Sequence, residues 1–336
     1  MTHHPPAPRS PILTGPTPLT HLARMSEHLG IDLWIKRDDL AGPSFGGNKA
    51  RQLEYYFGAA EAIGADTILI TGAVQSNFVR TAAAVANAKG MQAVVQLESR
   101  VKTGDERYLH SGNVLLNHIL SAEVITYPEG EDEAGADRAL YARADALKAK
   151  GRVPYVIPLG SDHPPLGALG YMRAAEEIVA EKDDFDVFVV ASGSGATHAG
   201  LLAGLRAEGV AAPVFGSCVR RSKSEQEKRI KGLLPRLAAL EPRTHAPTAD
   251  DVRIWDGALA PGYGQMGPAG EAAIKLMAGL EGLMLDPVYT AKAFAAIPAL
   301  VDGGLIPKGA KTCFVHTGGL AAFFAYETAL RASFEP

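Results

Sequence analysis

Lys49 stands behind two glycines and an asparagine in "GPSFGGNKARQLEYYFGAAEA", residues 42–62, and opens a segment with helical spacing. Glycine takes backbone conformations closed to other residues and lets a ligand approach the main chain, so the lysine can be offered to something bulky and flat. Taken alone, the same residues also make a turn followed by a solvated lysine. Three more junctions between a short apolar run and a helix carry chemistry. In "DVFVVASGSGATHAGLLAGLRAEG", residues 186–209, the run ends in Gly193-Ser194-Gly195-Ala196-Thr197. Backbone N–H groups of such a loop, at a helix N-terminus, cradle a phosphate. His198 occupies the place of the third glycine of G-x-G-x-x-G, and no Gly-Lys-Ser/Thr follows, so a single phosphate ester fits better than a dinucleotide or a triphosphate. In residues 67–90, Gln75-Ser76-Asn77 falls at a helix start, where side chains and free amides can hold a carboxylate and a ring hydroxyl together. Tyr289 and Thr290 follow Pro287 at a third junction, and Thr317-Gly318-Gly319 lies between a strand and a helix at a fourth.

Positioning these groups requires strands that end together. Short β-branched runs at 67–71, 93–97, 123–127, 153–157, 187–191, 213–218, 252–255 and 312–316 alternate with alanine-rich segments, such as 79–89 and 136–150, that suit crossover helices. The alternation predicts an α/β fold with two open, mainly parallel sheets flanked by helices. The first four runs make a small sheet; the later four, joined by 33–37, make a larger one. With the break placed in the turn-rich "PLGSDHPPLGALGY", the expected large cofactor-binding domain spans 1–48 and 164–336, and the small domain 49–163. Polar helix starts at four strand ends predict a ligand crevice at the carboxyl edge of the sheets.

Composition agrees with a globular chain long enough for two domains. The 336 residues are 47% hydrophobic and 21% charged, enough for a sizeable core, with a net charge of −4. The basic run at 219–231 alternates with Glu225 and Glu227 and reads as a solvated helix face, so nucleic acid is not an expected partner. Cys218 and Cys313 sit in apolar runs, which predicts buried reduced thiols, no metal site and a reducing compartment. The first twenty residues lack an apolar signal core and no later run is long enough to span a bilayer; the expected location is the cytoplasm, with no membrane partner.

A lysine, a phosphate loop, a Ser-Asn pair and hydroxyls at strand ends are what pyridoxal phosphate requires. The chain resembles the fold type II pyridoxal-phosphate enzymes, tryptophan synthase β-like in fold, and among them the D-cysteine desulfhydrase and 1-aminocyclopropane-1-carboxylate deaminase group. The resemblance runs through "WIKRDDLAGPSFGGNKARQLEY", "GADTILITGAVQSNFVR", "SGNVLLNHILSAEV", "SGSGATHAGLLAGL", "GYGQMG", "LDPVYTAKAF" and "FVHTGGLAAFF". It implies that Lys49 holds the cofactor as a Schiff base and that Asn77 contacts its O3′. It further implies that Ser76 and the 75–77 amides hold the substrate carboxylate, that Gly193, Ser194, Gly195, Ala196 and Thr197 bind the phosphate, and that Tyr263 and Tyr289 face the substrate. Thr317 or Thr290 then sits near the pyridine nitrogen. A homodimer is implied as well, with the apolar stretch 317–330 expected as a helix available to bury.

Three departures from the group's pattern bear on the substrate, a small amino acid. Phe78 stands where a histidine is usual after Gln-Ser-Asn. Ser161-Asp162-His163 replaces a more glycine-rich stretch. Gln265-Met266-Gly267-Pro268 lacks the usual acidic residues. The expected reaction is α,β-elimination on a β-substituted amino acid to give pyruvate and ammonia, with a neutral threonine at the pyridine nitrogen favouring prompt loss of the β-substituent. Cyclopropane ring opening is disfavoured by Thr290, which stands where the deaminases carry glutamate. Racemisation and β-replacement are the alternatives within the fold; a binding protein without turnover and a nicotinamide dehydrogenase are those outside the reaction class.

Overall fold

The computed structural model describes residues 7–160 and 163–335, so Ser161 and Asp162 lie outside the described residues. Its ten strands are β1 (Leu19–His21), β2 (Asp32–Lys36), β3 (Thr67–Ala73), β4 (Gln92–Glu98), β5 (Glu123–Tyr127), β6 (Pro154–Ile157), β7 (Val187–Ser192), β8 (Val214–Cys218), β9 (Val252–Trp255) and β10 (Lys311–Val315). They form a six-stranded sheet in the order β1-β2-β10-β7-β8-β9 and a four-stranded one in the order β5-β4-β3-β6. Every pairing is parallel except that of β1 with β2. The expected α/β class and the grouping of runs into a small and a large sheet are observed. The short strand β1 is an addition: three residues of mixed polarity pair with the edge of β2, too brief a segment to leave an apolar pattern.

The continuous apolar runs follow from cover on both faces. In β3, Ile68 and Ile70 pack with Val79, Ala82 and Ala86 of the helix Asn77–Ala88, while Leu69 points to Leu140, Ala144 and Leu147 of the helix Glu133–Lys148. In β7, Val187 and Val189 face the helices Pro268–Glu281 and Thr290–Phe294; Phe188 and Val190 face Leu166–Glu181, Ala196–Ala207 and Lys223–Leu240. Each such Ile, Leu or Val side chain contributes about 1.5–3 kcal/mol. The helix Lys49–Ala62 lies against Leu166–Glu181 so closely that a Cβ on Gly170 would sit 2.1 Å from the carbonyl oxygen of Arg51.

Two expectations are corrected. Residues 317–330 are not one helix: Gly318 and Gly319 have φ of +86° and +108°, a 3-10 segment follows over Leu320–Tyr326, and the α-helix starts only at Glu327. The basic run is only partly a solvated face. Lys223, Lys228 and Lys231 are exposed, but Arg220, Arg221 and Arg229 are turned inward onto Glu133, a partner 87 to 96 residues away that no local pattern reveals.

Candidate active site

The carboxyl ends of β3, β7, β8 and β10 border a cleft lined by polar helix starts and open to solvent, as expected of a ligand crevice in an open α/β sheet. Lys49 reaches it from the first residue of its helix. The glycines before it serve the packing of the chain on itself. Gly46 and Gly47 have φ of +64° and +114°; a Cβ would lie 2.1 Å from the Asp39 carbonyl oxygen at the first and 3.2 Å from that of Thr317 at the second. Asn48 N–H also donates to the Thr317 carbonyl at 3.0 Å. The loop is thereby pinned to the end of β10. Lys49 Nζ lies 3.3 Å from Gln52 Oε1 and 5.3 Å from the centre of the Phe78 ring. Desolvation pushes its pKa down to about 8, so a useful fraction of the amine is neutral and nucleophilic near neutral pH.

In the same cleft as the lysine, Gly193, Ser194, Gly195 and Thr197 stand at the N-terminus of the helix Ala196–Ala207, with Gly195 at φ +100°. Thr197 Oγ1 accepts from Asn48 Nδ2 and Gln52 Nε2, each at 2.8 Å, which leaves its own hydrogen for a group in the cleft. Ala196 instead faces an adjoining recess that Phe78 also walls. His198 is fully buried behind the loop, where desolvation lowers its pKa to about 4; its Nδ1 is 3.2 Å from Ser192 Oγ. The loop's carbonyls are held from outside, Gly193 by Arg221 at 3.1 Å and Ser194 by Arg229 at 2.7 Å.

Ser76, Asn77 and Phe78 line the cleft at the first turn of the helix Asn77–Ala88, whose leading amides have no helical acceptor. Ser76 Oγ caps the helix, accepting from Val79 N–H at 3.3 Å. Gln75 is turned away: its amide nitrogen donates to the carbonyls of Tyr108 at 2.6 Å and Ser111 at 2.9 Å, and its oxygen accepts from Asn113 N–H at 2.9 Å. Phe78 is 8% exposed and packs edge-on against Tyr56, so it belongs both to the core and to the cleft wall. Tyr263 and Tyr289 line the cleft with their hydroxyls 2.6 Å apart. Burial first, then Tyr263, raises the Tyr289 pKa well above the usual phenol value.

The two threonines differ. Thr317 lines the cleft, whereas the Thr290 hydroxyl donates to Asp286 Oδ1 at 2.7 Å and sits fully buried among the residues that stop Asp286 from being an unpaired carboxylate. His163, the described member of the variant segment, lies 3.3 Å from Asp137 and stacks loosely on Tyr141. Arg100, Glu133 and Arg220 also line the cleft and escape a search for motifs. Arg100 follows β4, the strand beside β3, and the carboxyl ends of parallel strands are the signal that points to it. Glu133 and Arg220 meet only through the fold, at 2.6 Å, with the Arg220 guanidinium 6.0 Å from the centre of the Tyr263 ring.

Residues 12–318 match the family of pyridoxal-phosphate dependent enzymes. The chain is 42% identical over 332 residues to a D-cysteine desulfhydrase of Klebsiella pneumoniae (strain 342), covering 95% of this chain and 96% of that protein. It is 41% identical over 322 residues to a D-cysteine desulfhydrase of Salmonella choleraesuis (strain SC-B67), with the same coverage. The crystal structure of an ACC deaminase homologue superposes with a TM-score of 0.87 at 34% identity, covering 97% of this chain and 96% of that one. An L-serine ammonia-lyase from Rhizomucor miehei, with a TM-score of 0.63 at 18% identity over 95% of this chain and 99% of that one, shares the fold. A lysine of lowered pKa shares the cleft with a glycine-rich turn at a helix N-terminus, an arrangement that suits the cofactor of that family, and with the match running through nearly all of its length, the chain belongs to the pyridoxal-phosphate dependent enzymes.

Proposed function

We propose that the protein is a D-cysteine desulfhydrase-like lyase that turns a small β-substituted amino acid and water into pyruvate, ammonia and the protonated leaving group. For D-cysteine the products are pyruvate, ammonia and hydrogen sulfide. The observation that carries this reading is Lys49, an amine of lowered pKa that faces both the Gly193–Thr197 cradle and the first turn of the Ser76 helix. The likeness to the desulfhydrases over 95% of the chain supports the substrate class.

Bound there, pyridoxal phosphate supplies an electron sink for the pair left when the substrate loses its Cα proton. Lys49 would hold it covalently, the 193–197 amides with the Thr197 hydroxyl would take its phosphate, and Asn77 would meet O3′. Of the two threonines, Thr317 is the partner for the pyridine nitrogen, because the Thr290 hydroxyl is committed to Asp286. Ser76 and the leading amides of its helix bind the substrate carboxylate. Once released, the Lys49 amine removes the Cα proton, a role its lowered pKa suits. The hydrogen-bonded Tyr263–Tyr289 pair donates a proton to the departing β-substituent. Residues 1–48 and 164–336 are taken as the cofactor-binding domain and 49–163 as the small domain. Two buried free cysteines support a reducing compartment such as the cytoplasm, and a homodimer is proposed by likeness to the family. No helix among the described residues is long and apolar enough to cross a membrane.

The test is the visible absorption of the purified protein, its loss on borohydride reduction and its absence in Lys49→Ala, followed by pyruvate release from D- and L-cysteine, chloroalanine, serine, diaminopropionate, cysteate and 1-aminocyclopropane-1-carboxylate. Turnover by Lys49→Ala with an unchanged spectrum rejects the lysine's role. Racemisation without pyruvate, or ring opening alone, moves the assignment to another outcome of the same fold.

A further inference from the structure

Arg80 is fully buried and has no carboxylate partner among the described residues. A guanidinium taken out of water normally meets an anion. Here every acceptor is neutral. Nε donates to Asn113 Oδ1 at 3.1 Å, Nη1 to the carbonyls of Ser44 and Gly46, and Nη2 to Asn77 Oδ1 at 3.4 Å. The carboxylates beside the same loop are already engaged, Asp38 with Arg51 at 2.9 Å and Asp39 with Arg37 at 2.7 Å. Burial without compensation pushes the Arg80 pKa down to about 10, which still leaves it cationic at neutral pH.

The placement links three parts of the site. Ser44 and Gly46 belong to the loop that delivers Lys49, Asn113 starts the helix Asn113–Ile119, and Asn77 lines the cleft. Asn113 Nδ2 also donates to Asn77 Oδ1, at 3.0 Å. Because Arg80 can only donate, the oxygen of the Asn77 amide must face it. The Asn77 NH2 group is therefore left for the cleft as a fixed donor, with a full positive charge behind it.

We propose that Arg80 is a positioning residue that orients the Asn77 amide as a donor to the cofactor's O3′ and supplies the positive charge that keeps this oxygen anionic. The proposal rests on the reading that Asn77 faces O3′. The imine proton of the Lys49-bound cofactor is the reporter, since an anionic O3′ stabilised from outside makes that proton easier to lose. The side chains that meet the Lys49 amine directly, Gln52 and the Phe78 ring, are neutral; the charged and titratable groups lining the same cleft are Arg100, Glu133, Arg220, Tyr263 and Tyr289, all of which Arg80→Gln leaves in place.

The experiment is a spectrophotometric pH titration of the holoenzyme. Arg80→Gln is expected to raise the midpoint by about one pH unit, as loss of a nearby cation in a partly desolvated site requires, while Arg80→Lys, which keeps the charge, stays close to wild type. If Arg80→Gln does not fold, Asn113→Asp tests the same point: a carboxylate beside Nε neutralises the charge and draws the Asn77 NH2 away from the cleft, so the midpoint again rises. An unchanged midpoint in a folded Arg80→Gln or Asn113→Asp protein that still binds cofactor overturns the proposal, and so does an equal shift in Arg80→Lys. Failure of borohydride to fix cofactor on wild-type Lys49 overturns the reading of the site itself, and this inference with it.

Discussion

At the scale of single residues, Lys49 and Phe78 carry the proposed chemistry, and the fold gives each a measurable signature. A lysine whose folded pKa is about 8, against about 10.4 when unfolded, binds fewer protons in the native state between these values. Stability of the cofactor-free protein should then rise as pH increases from 8 towards 10.4. Lys292, also lowered to about 8 by burial, shares this window, so the comparison must be with Lys49→Met. That variant is expected to be roughly 1–3 kcal/mol more stable at pH 7, the range allowing for screening in an open cleft, and to show a flatter rise in urea-denaturation midpoint above pH 8. Equal slopes would assign the effect to Lys292 alone. Phe78 offers no donor to a polar substrate, and its ring lies 5.3 Å from the Lys49 amine. Phe78→His should raise kcat/KM for D-cysteine about tenfold to a hundredfold, the worth of roughly 1–3 kcal/mol from one hydrogen bond in the transition state, while lowering melting temperature through the lost Tyr56 contact. A lower melting temperature with unchanged selectivity would leave Phe78 a packing residue only.

Elements hold these residues in place through contacts with few local cues. The helix that presents Lys49 is fixed by Arg51, which bonds Asp38 through Nε and Nη2 and Glu177 through both terminal nitrogens. Asp38 also accepts from Thr17 at 2.7 Å and Tyr171 at 2.5 Å. Burial alone would raise the Asp38 pKa, but Arg51, Tyr171 and Thr17 bring it below the usual carboxylate value. A depressed carboxylate stabilises the protein above its unfolded pKa of about 3.9, and that contribution disappears as pH falls through the folded value. Asp38→Asn is therefore expected to cost about 3–5 kcal/mol at pH 7, with the gap narrowing progressively as pH falls below about 3.9, measured by urea denaturation across that range. A gap that does not narrow on acidification would mean the loss is steric. On the other side of the cleft, Glu133 at the start of its helix binds Arg220 at 2.6 Å and Arg221 at 2.7 Å, with Arg229 at 3.5 Å. Glu133→Gln leaves three guanidiniums close together without their shared anion. Cofactor should then dissociate at least about tenfold more readily, since Arg221 and Arg229 brace the Gly193 and Ser194 carbonyls, a loss near 1.4 kcal/mol read by equilibrium dialysis.

For the whole molecule, the proposed dimer is checked by light scattering across micromolar concentrations, where a mass of twice 35.3 kDa is expected and a monomer at all concentrations ends the idea. The sequence by itself determined the α/β class, nine of the ten strands within a residue or two, and their division between two sheets, because a strand covered on both faces must be apolar along its length, as TILIT and VFVVA are. It also marked Lys49, the 193–197 loop and Ser76–Asn77, since glycine-bounded polar residues at helix starts are a local signal. Local signals end where a side chain's partner is far along the chain. Two threonines at strand or helix ends read alike until Thr290 proves to be spent on Asp286 and Thr317 to face the cleft. The Gln75 side chain reads as free for a ligand beside Ser76 until three bonds to the 108–113 segment engage it. Arginines of the basic run look solvated until Glu133, on the other sheet's helix, takes them in. In each case the deciding term is the cost of leaving a buried polar group unpaired, and only the tertiary structure says which partner is near enough to meet it.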